Sequence, residues 1–121
     1  MLKGSCHCGA VRFEVSRPPE QVTSCNCSIC SKRGALVAYY KPDEFTLVTA
    51  QGQSTYRWGD RMLGMNFCGT CGCWTFNDGP DWAEDGKSID FAKRKLGVNA
   101  RLFDDFDLAA VPVRHFDGRA M

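Results

Sequence analysis

Eight cysteines carry the reactive chemistry of this 121-residue chain, and they fall into three clusters. These are Cys6-His7-Cys8, Cys25-Asn26-Cys27-Ser28-Ile29-Cys30 and Cys68-Gly69-Thr70-Cys71-Gly72-Cys73. Thiolates are soft ligands that select zinc, iron or Cu(I) over magnesium or calcium. The spacings suit a metal. Residues i and i+2 of a strand share a face, so a C-x-C pair reaches one ion. A C-x-x-C pair in a tight turn makes a knuckle with both sulfurs on one ion. Gly69 and Gly72 suit that turn, because glycine reaches positive φ without steric cost. Only one cluster has the C-x-x-C-G form that a rubredoxin-like iron site needs twice, so zinc is the expected metal. Counting leaves the partition open. The cysteines form two closed four-thiolate sites, or one closed site plus a three-thiolate site and a spare, or they only staple the fold.

Other side chains with possible chemistry flank these clusters. His7 sits between Cys6 and Cys8 and, on a strand, points away from the metal they would share. His115 follows Arg114 and serves either a local hydrogen bond or proton transfer near a metal. Lys32 and Arg33 directly follow the second cluster. They are solvated charges, or they neutralise an anionic site or grip a substrate carboxylate. Tyr39, Tyr40, Trp58 and Trp74 read as packing residues, with an aromatic wall over a metal site as the alternative.

Clusters so distant in sequence need short elements to bring them together. Helical periodicity is poor throughout. Runs rich in β-branched and aromatic residues cover 11–15, 36–40, 45–48, 54–58, 74–76 and 98–103, several alternating as strands do. Turn signals separate them at Arg17-Pro18-Pro19, Lys41-Pro42-Asp43, Trp58-Gly59-Asp60 and Asn77-Asp78-Gly79-Pro80. One helical turn is expected over Ser28–Arg33 with Ser28 as its N-cap. The expectation is one mainly antiparallel β domain over residues 1–121. Leu, Ile, Val and Phe number only 25, so the core is thin and metal is expected to supply part of the folding energy.

Charge narrows the function classes. Fifteen basic and 14 acidic residues leave a net charge of +1, which gives no strong pull on nucleic acid or an anionic membrane. The longest apolar run is six residues, 35–40, against the ~20 a membrane helix needs. The opening Met1-Leu2-Lys3-Gly4 has no apolar signal core, so a cytoplasmic location with reduced thiols is expected. Residues 1–76 carry net +3 and residues 77–107 net −3. The acidic part reads as a solvated loop around 78–85, or the basic part attracts an anionic small molecule.

The sequence resembles the glutathione-dependent formaldehyde-activating enzyme family, which also includes centromere protein V. The resemblance is carried by Gly4-Ser5-Cys6-His7-Cys8-Gly9-Ala10-Val11-Arg12-Phe13, by Cys25-Asn26-Cys27-Ser28-Ile29-Cys30 and by Phe67-Cys68-Gly69-Thr70-Cys71-Gly72. The tail Val113-Arg114-His115-Phe116-Asp117-Gly118 also matches, so the likeness runs over roughly residues 2 to 119. It implies a zinc β-tent fold of small antiparallel sheets with little helix, and two zinc ions per chain. Cys6, Cys8, Cys68 and Cys71 would close a structural site. Cys25, Cys27 and Cys30 would hold a second, catalytic zinc with its fourth position open to a substrate thiolate or water.

The implied activity is that of a carbon–sulfur lyase, joining a small thiol such as glutathione to a carbonyl such as formaldehyde. The alternative is a zinc-stabilised scaffold without catalysis. The chromosome- and microtubule-associated member's role should go with a basic extension, which this chain lacks, so no nucleic-acid partner is expected. An exposed β edge could support a homodimer. Cys73 departs from the family pattern and is a plain thiol, a redox-sensitive spare, or a fourth ligand that would close the second site.

Overall fold

The computed structural model describes residues 1–59 and 61–120. In chain order, the strands are β1 (Leu2–Ser5), β2 (Val11–Val15), β3 (Val22–Cys25), β4 (Val37–Tyr40), β5 (Phe45–Ala50), β6 (Gln53–Tyr56), β7 (Gly64–Cys68), β8 (Trp74–Trp82), β9 (Ile89–Asn99) and β10 (Val113–Phe116). A single short α-helix, α1 (Ser28–Arg33), lies between β3 and β4 among the described residues. The mainly β expectation with little helix holds. None of the described helices is long and apolar enough to cross a membrane.

Two sheets pack together. One has the order β1-β2-β5; the other runs β10-β3-β4-β9-β8-β7-β6. The pairings are antiparallel except one: β10 lies parallel to β3, with Phe116 opposite Cys25. That parallel pair is the one exception to antiparallel pairing among the described strands. The strand β2 shows why the chain folds this way. Val11, Phe13 and Val15 alternate with polar Arg12 and Glu14, and all three apolar side chains are buried. Phe13 stacks on Phe45 with ring centroids 5.7 Å apart, and Phe45 meets Phe76 at 4.9 Å. These rings join the small sheet to the large one, with Val22, Ala38, Leu96, Val98 and Phe103 completing the same cluster.

Several local expectations are corrected. The helix cap is Cys27, one residue before Ser28; its sulfur accepts from the Cys30 N–H at 3.5 Å. The sequence Asn77-Asp78-Gly79-Pro80 is no turn but the middle of β8. A Cβ at Gly79 would lie 2.6 Å from the Leu63 side chain, so glycine is there for close packing. Pro80 adjoins a register shift between Pro80 and Asp81, where a strand tolerates the missing N–H. The acidic stretch is therefore partly strand. Asp78 pairs with Arg94 at 2.7 Å and Asp81 with Lys95 at 3.4 Å across β8 and β9. The strand expected over 98–103 instead ends at Asn99, whose side chain accepts from the Arg101 N–H and starts a 3-10 turn. In the turn at Trp58-Gly59-Asp60, Asp60 lies outside the described residues.

Candidate metal centres and the cavity beside one of them

Among the described residues, seven of the eight thiols gather into two sets whose sulfurs lie within 4.8 Å of one another. Cys6, Cys8, Cys68 and Cys71 form one; Cys25, Cys27 and Cys30 form the other. Cys73 belongs to neither. It packs beside Cys71 at the edge of the four-thiol set and is not the fourth sulfur of the three-thiol set.

The four-thiol set joins two turns. Cys6 ends the β1 side and Cys8 lies in the turn before β2, so the same-face strand argument for this pair does not apply. The turn itself aims the sulfurs: Cys6 N–H bonds the Val11 carbonyl at 3.0 Å, and the Val11 N–H donates back to the Cys6 sulfur at 3.3 Å. Cys68 closes β7, and Gly72 bonds the Cys68 carbonyl at 2.8 Å with φ of 81°. The positive-φ argument thus applies to Gly72. Gly69 is needed for another reason, since a Cβ there would sit 2.6 Å from the Gly52 carbonyl oxygen.

The link between the two turns was not legible in the sequence. It is the β5–β6 bend: Gln51 N–H bonds the Ala10 carbonyl at 3.1 Å and Gly69 N–H bonds the Gly52 carbonyl at 2.9 Å. Four thiolates about 2.3 Å from a tetrahedral ion stand about 3.8 Å apart. The Cys6–Cys8 and Cys8–Cys68 sulfur separations are 3.7 and 3.6 Å. The set therefore fits a tetrahedral metal. Cys71 is already biased towards thiolate, lowered to about 5 by the backbone N–H groups of Cys73 and Cys8.

The three-thiol set is built differently. Cys25 ends β3, Cys27 caps α1 and Cys30 lies in its first turn. The Cys27 N–H donates to the Cys25 sulfur at 3.5 Å. The C-terminal tail grips the loop through Asn26. Asn26 N–H bonds the Phe116 carbonyl at 3.2 Å, and its side chain donates to Asp117 at 2.9 Å. Arg119 returns two bonds, its N–H to Asn26 Oδ1 at 3.1 Å and its Nε to the Asn26 carbonyl at 2.7 Å. At Gly118 a Cβ would fall 2.5 Å from the Cys25 sulfur. Burial, then Cys27 beside it, pushes the Cys30 thiol up to about 12. Three half-buried sulfurs, whose charges would repel one another when ionised, are a donor set that a divalent cation satisfies.

A cavity of about 450 Å³ opens against this set, lined by Cys25, Cys27 and Cys30. Tyr39 and Trp58 are on its wall, so the aromatic-wall alternative holds for these two. Tyr40 is core, and Trp74 is buried with Arg33 stacked 4.9 Å over it. Neither Lys32 nor Arg33 is on the cavity lining among the described residues. Lys95 from β9 is, with its Nζ 4.5 Å above the Tyr39 ring. His7 is exposed beside the four-thiol set, and His115 is exposed on β10 opposite Ser24. Asn26 and the tail both lie in stretches that carry the family likeness, but their spacing carries no sign that they touch. Nor does the polar run before Val98 mark Lys95 as part of a site.

A mainly β chain with two separate thiol sets, one knotted between turns and one facing a cavity, has the donor groups of a cysteine-ligated metal protein. The profile described as "Glutathione-dependent formaldehyde-activating enzyme" matches residues 1–108, and this chain belongs to that family. A curated relative from Halomonas elongata, provisionally named a glutathione-dependent formaldehyde-activating enzyme, is 36% identical over 96 residues. The match covers 69% of this chain and 60% of the relative, so the chain spans about 60% of that protein's length. A crystal structure of a Rhodobacter sphaeroides protein is similar with a TM-score of 0.70 and 30% identity, covering 92% of this chain and 98% of that one.

Proposed function

We propose that this chain is an enzyme that joins a small thiol to a small carbonyl compound, with glutathione and formaldehyde as the reference pair the family description supplies. One observation carries the reading: the thiols of Cys25, Cys27 and Cys30 converge on the wall of a cavity of about 450 Å³. Both sulfur sets hold zinc, two ions per chain. Protein zinc takes a closed four-ligand form in structural sites and a three-ligand form in catalytic ones, and the four- and three-thiol sets match these. When bound by three thiolates, zinc supplies Lewis acidity that favours the ionised form of a substrate thiol near neutral pH.

The chain's own residues supply the rest. Cys25, Cys27 and Cys30 fix where sulfur chemistry takes place, and the Asn26 clasp holds their loop. The apolar wall keeps water from the reacting pair, which strengthens charge–dipole interactions there. The substrate sulfur attacks the carbonyl carbon. A C–S bond forms, the C=O π pair moves to oxygen, and the proton lost by the thiol ends on that oxygen. Run in reverse, the step cleaves a C–S bond, as a carbon–sulfur lyase does.

Zinc-edge X-ray absorption during a thiol titration tests this. Sulfur contacts should rise from seven towards eight per two zinc ions as thiol is added. In a second arm, Cys27→Ser should lose one zinc equivalent and the activity while the fold persists. An unchanged spectrum, or unchanged turnover in Cys27→Ser, rejects the mechanism in favour of a scaffold whose ions are both structural.

A further inference from the structure

The cavity's walls are more apolar than formaldehyde needs and less charged than glutathione suits. Tyr39, Trp58, Met65, Trp82, Ile89 and Phe116 dominate the lining. The volume of about 450 Å³ lies in the range of sites that enclose whole organic ligands. Trp58 and Trp82 are 42% and 41% exposed without a ligand, so an apolar body seated here would cover two aromatic surfaces that now face water.

We propose that the thiol this site takes carries a neutral apolar body, aryl or branched alkyl, in place of a charged tripeptide. The proposal rests on Cys25, Cys27 and Cys30 being the reacting site. Charge decides between the two ligands. Glutathione brings two carboxylates and an ammonium group, and a charge removed from water needs a partner. Among the described lining residues Lys95 alone is cationic, and none is an aspartate or glutamate. Lys95 is already engaged, 3.4 Å from the Asp81 carboxylate and 4.5 Å over the Tyr39 ring. An arylmethyl group needs none of these charges and stacks against Trp58 and Trp82. The covalent step is unchanged: the thiol sulfur bonds the carbonyl carbon, and its proton passes to the oxygen.

The test titrates zinc-loaded protein with phenylmethanethiol and with glutathione, following tryptophan fluorescence, since two of the three tryptophans line the cavity. Phenylmethanethiol should bind at least about tenfold more tightly, about 1.4 kcal/mol. Trp58→Ala should weaken it at least fivefold while changing glutathione binding less than twofold, read through Trp82. Equal or tighter binding of glutathione, or equal losses for both thiols in Trp58→Ala, overturns the proposal. Adduct formation with formaldehyde, measured by exchange NMR, separates the two readings. If the apolar thiol wins on affinity but no thiol reacts faster with protein present, the enzymatic reading falls and the pocket assignment stands. If glutathione reacts and binds at least as well, the pocket assignment falls and the enzymatic reading stands.

Discussion

The two sulfur sets offer the same ligand type in different surroundings. The four-thiol set is woven into the fold. Cys6 and Cys68 are buried with Val11, and the bend at Gln51 and Gly52 ties both contributing turns together. The three-thiol set is peripheral. Its residues come from one short segment, its helix buries no residue, and the tail holds it from outside. Ligands spread across the chain couple metal binding to folding, because the unfolded chain cannot gather them. Ligands within six residues are already near one another when unfolded, so a metal held there would add little to global stability.

The sharpest way to break this contrast is to remove one sulfur from each set. Cys68→Ser should abolish cooperative unfolding or lower Tm by more than about 15 °C, since a site that closes a long loop is lost from the interior. Cys27→Ser should lower Tm by less than about 4 °C, a cost of roughly 1 kcal/mol. Calorimetry of the two variants decides it, and equal shifts would erase the distinction between a folding site and a working site.

The ligand clusters were legible because metal spacing is local: C-x-C, C-x-x-C and C-x-C-x-x-C are written in neighbouring letters. So was β2, whose alternation is a strand's signature. What failed were long-range facts written in ambiguous letters. Asn77-Asp78-Gly79-Pro80 has turn composition, yet Gly79 makes room for Leu63 and Pro80 sits beside a bulge. The strand β9 hid behind Lys93, Arg94 and Lys95, of which Arg94 and Lys95 are matched across the hairpin by Asp78 and Asp81. Tertiary pairing overrode local propensity there. The assignment of sulfurs to two sets came from the family likeness, because no count of cysteines says which turns meet.

A subtler probe leaves all sulfurs in place and loosens only the clasp. Asn26→Ala removes the side-chain bonds to Asp117 and to the Arg119 N–H. Gly118→Val drives a side chain against Cys25 and Cys27. Groups that orient metal ligands typically contribute about 10–100-fold to affinity. Each variant should therefore lose metal from the three-thiol set at a chelator concentration about tenfold lower than the parent does. The four-thiol set should release its metal at the parent's concentration. A matching shift in both sets would show that the tail supports the whole fold rather than one loop.

The smallest effect serves as the control for a change that should not distinguish the sets. Tyr40 packs edge-on against Phe103 and donates its hydroxyl to the Arg17 carbonyl at 3.1 Å, within the aromatic core and outside both sulfur sets. Burial pushes its hydroxyl up to about 12, against an ordinary value of 10.0. A raised folded-state value means the neutral form is favoured by folding. Its contribution is full below about pH 10 and is lost as pH climbs through about 12. Tyr40→Phe removes that titration at a cost of about 1 kcal/mol near neutrality, the size of one hydrogen bond. Parent and variant melting curves should therefore converge between about pH 10 and 12, with metal release from the two sets displaced together. If alkaline conditions emptied the three-thiol set in the parent but not in Tyr40→Phe, with the four-thiol set unmoved, Tyr40 would be part of the loop's support and the core would not be neutral between the two sites.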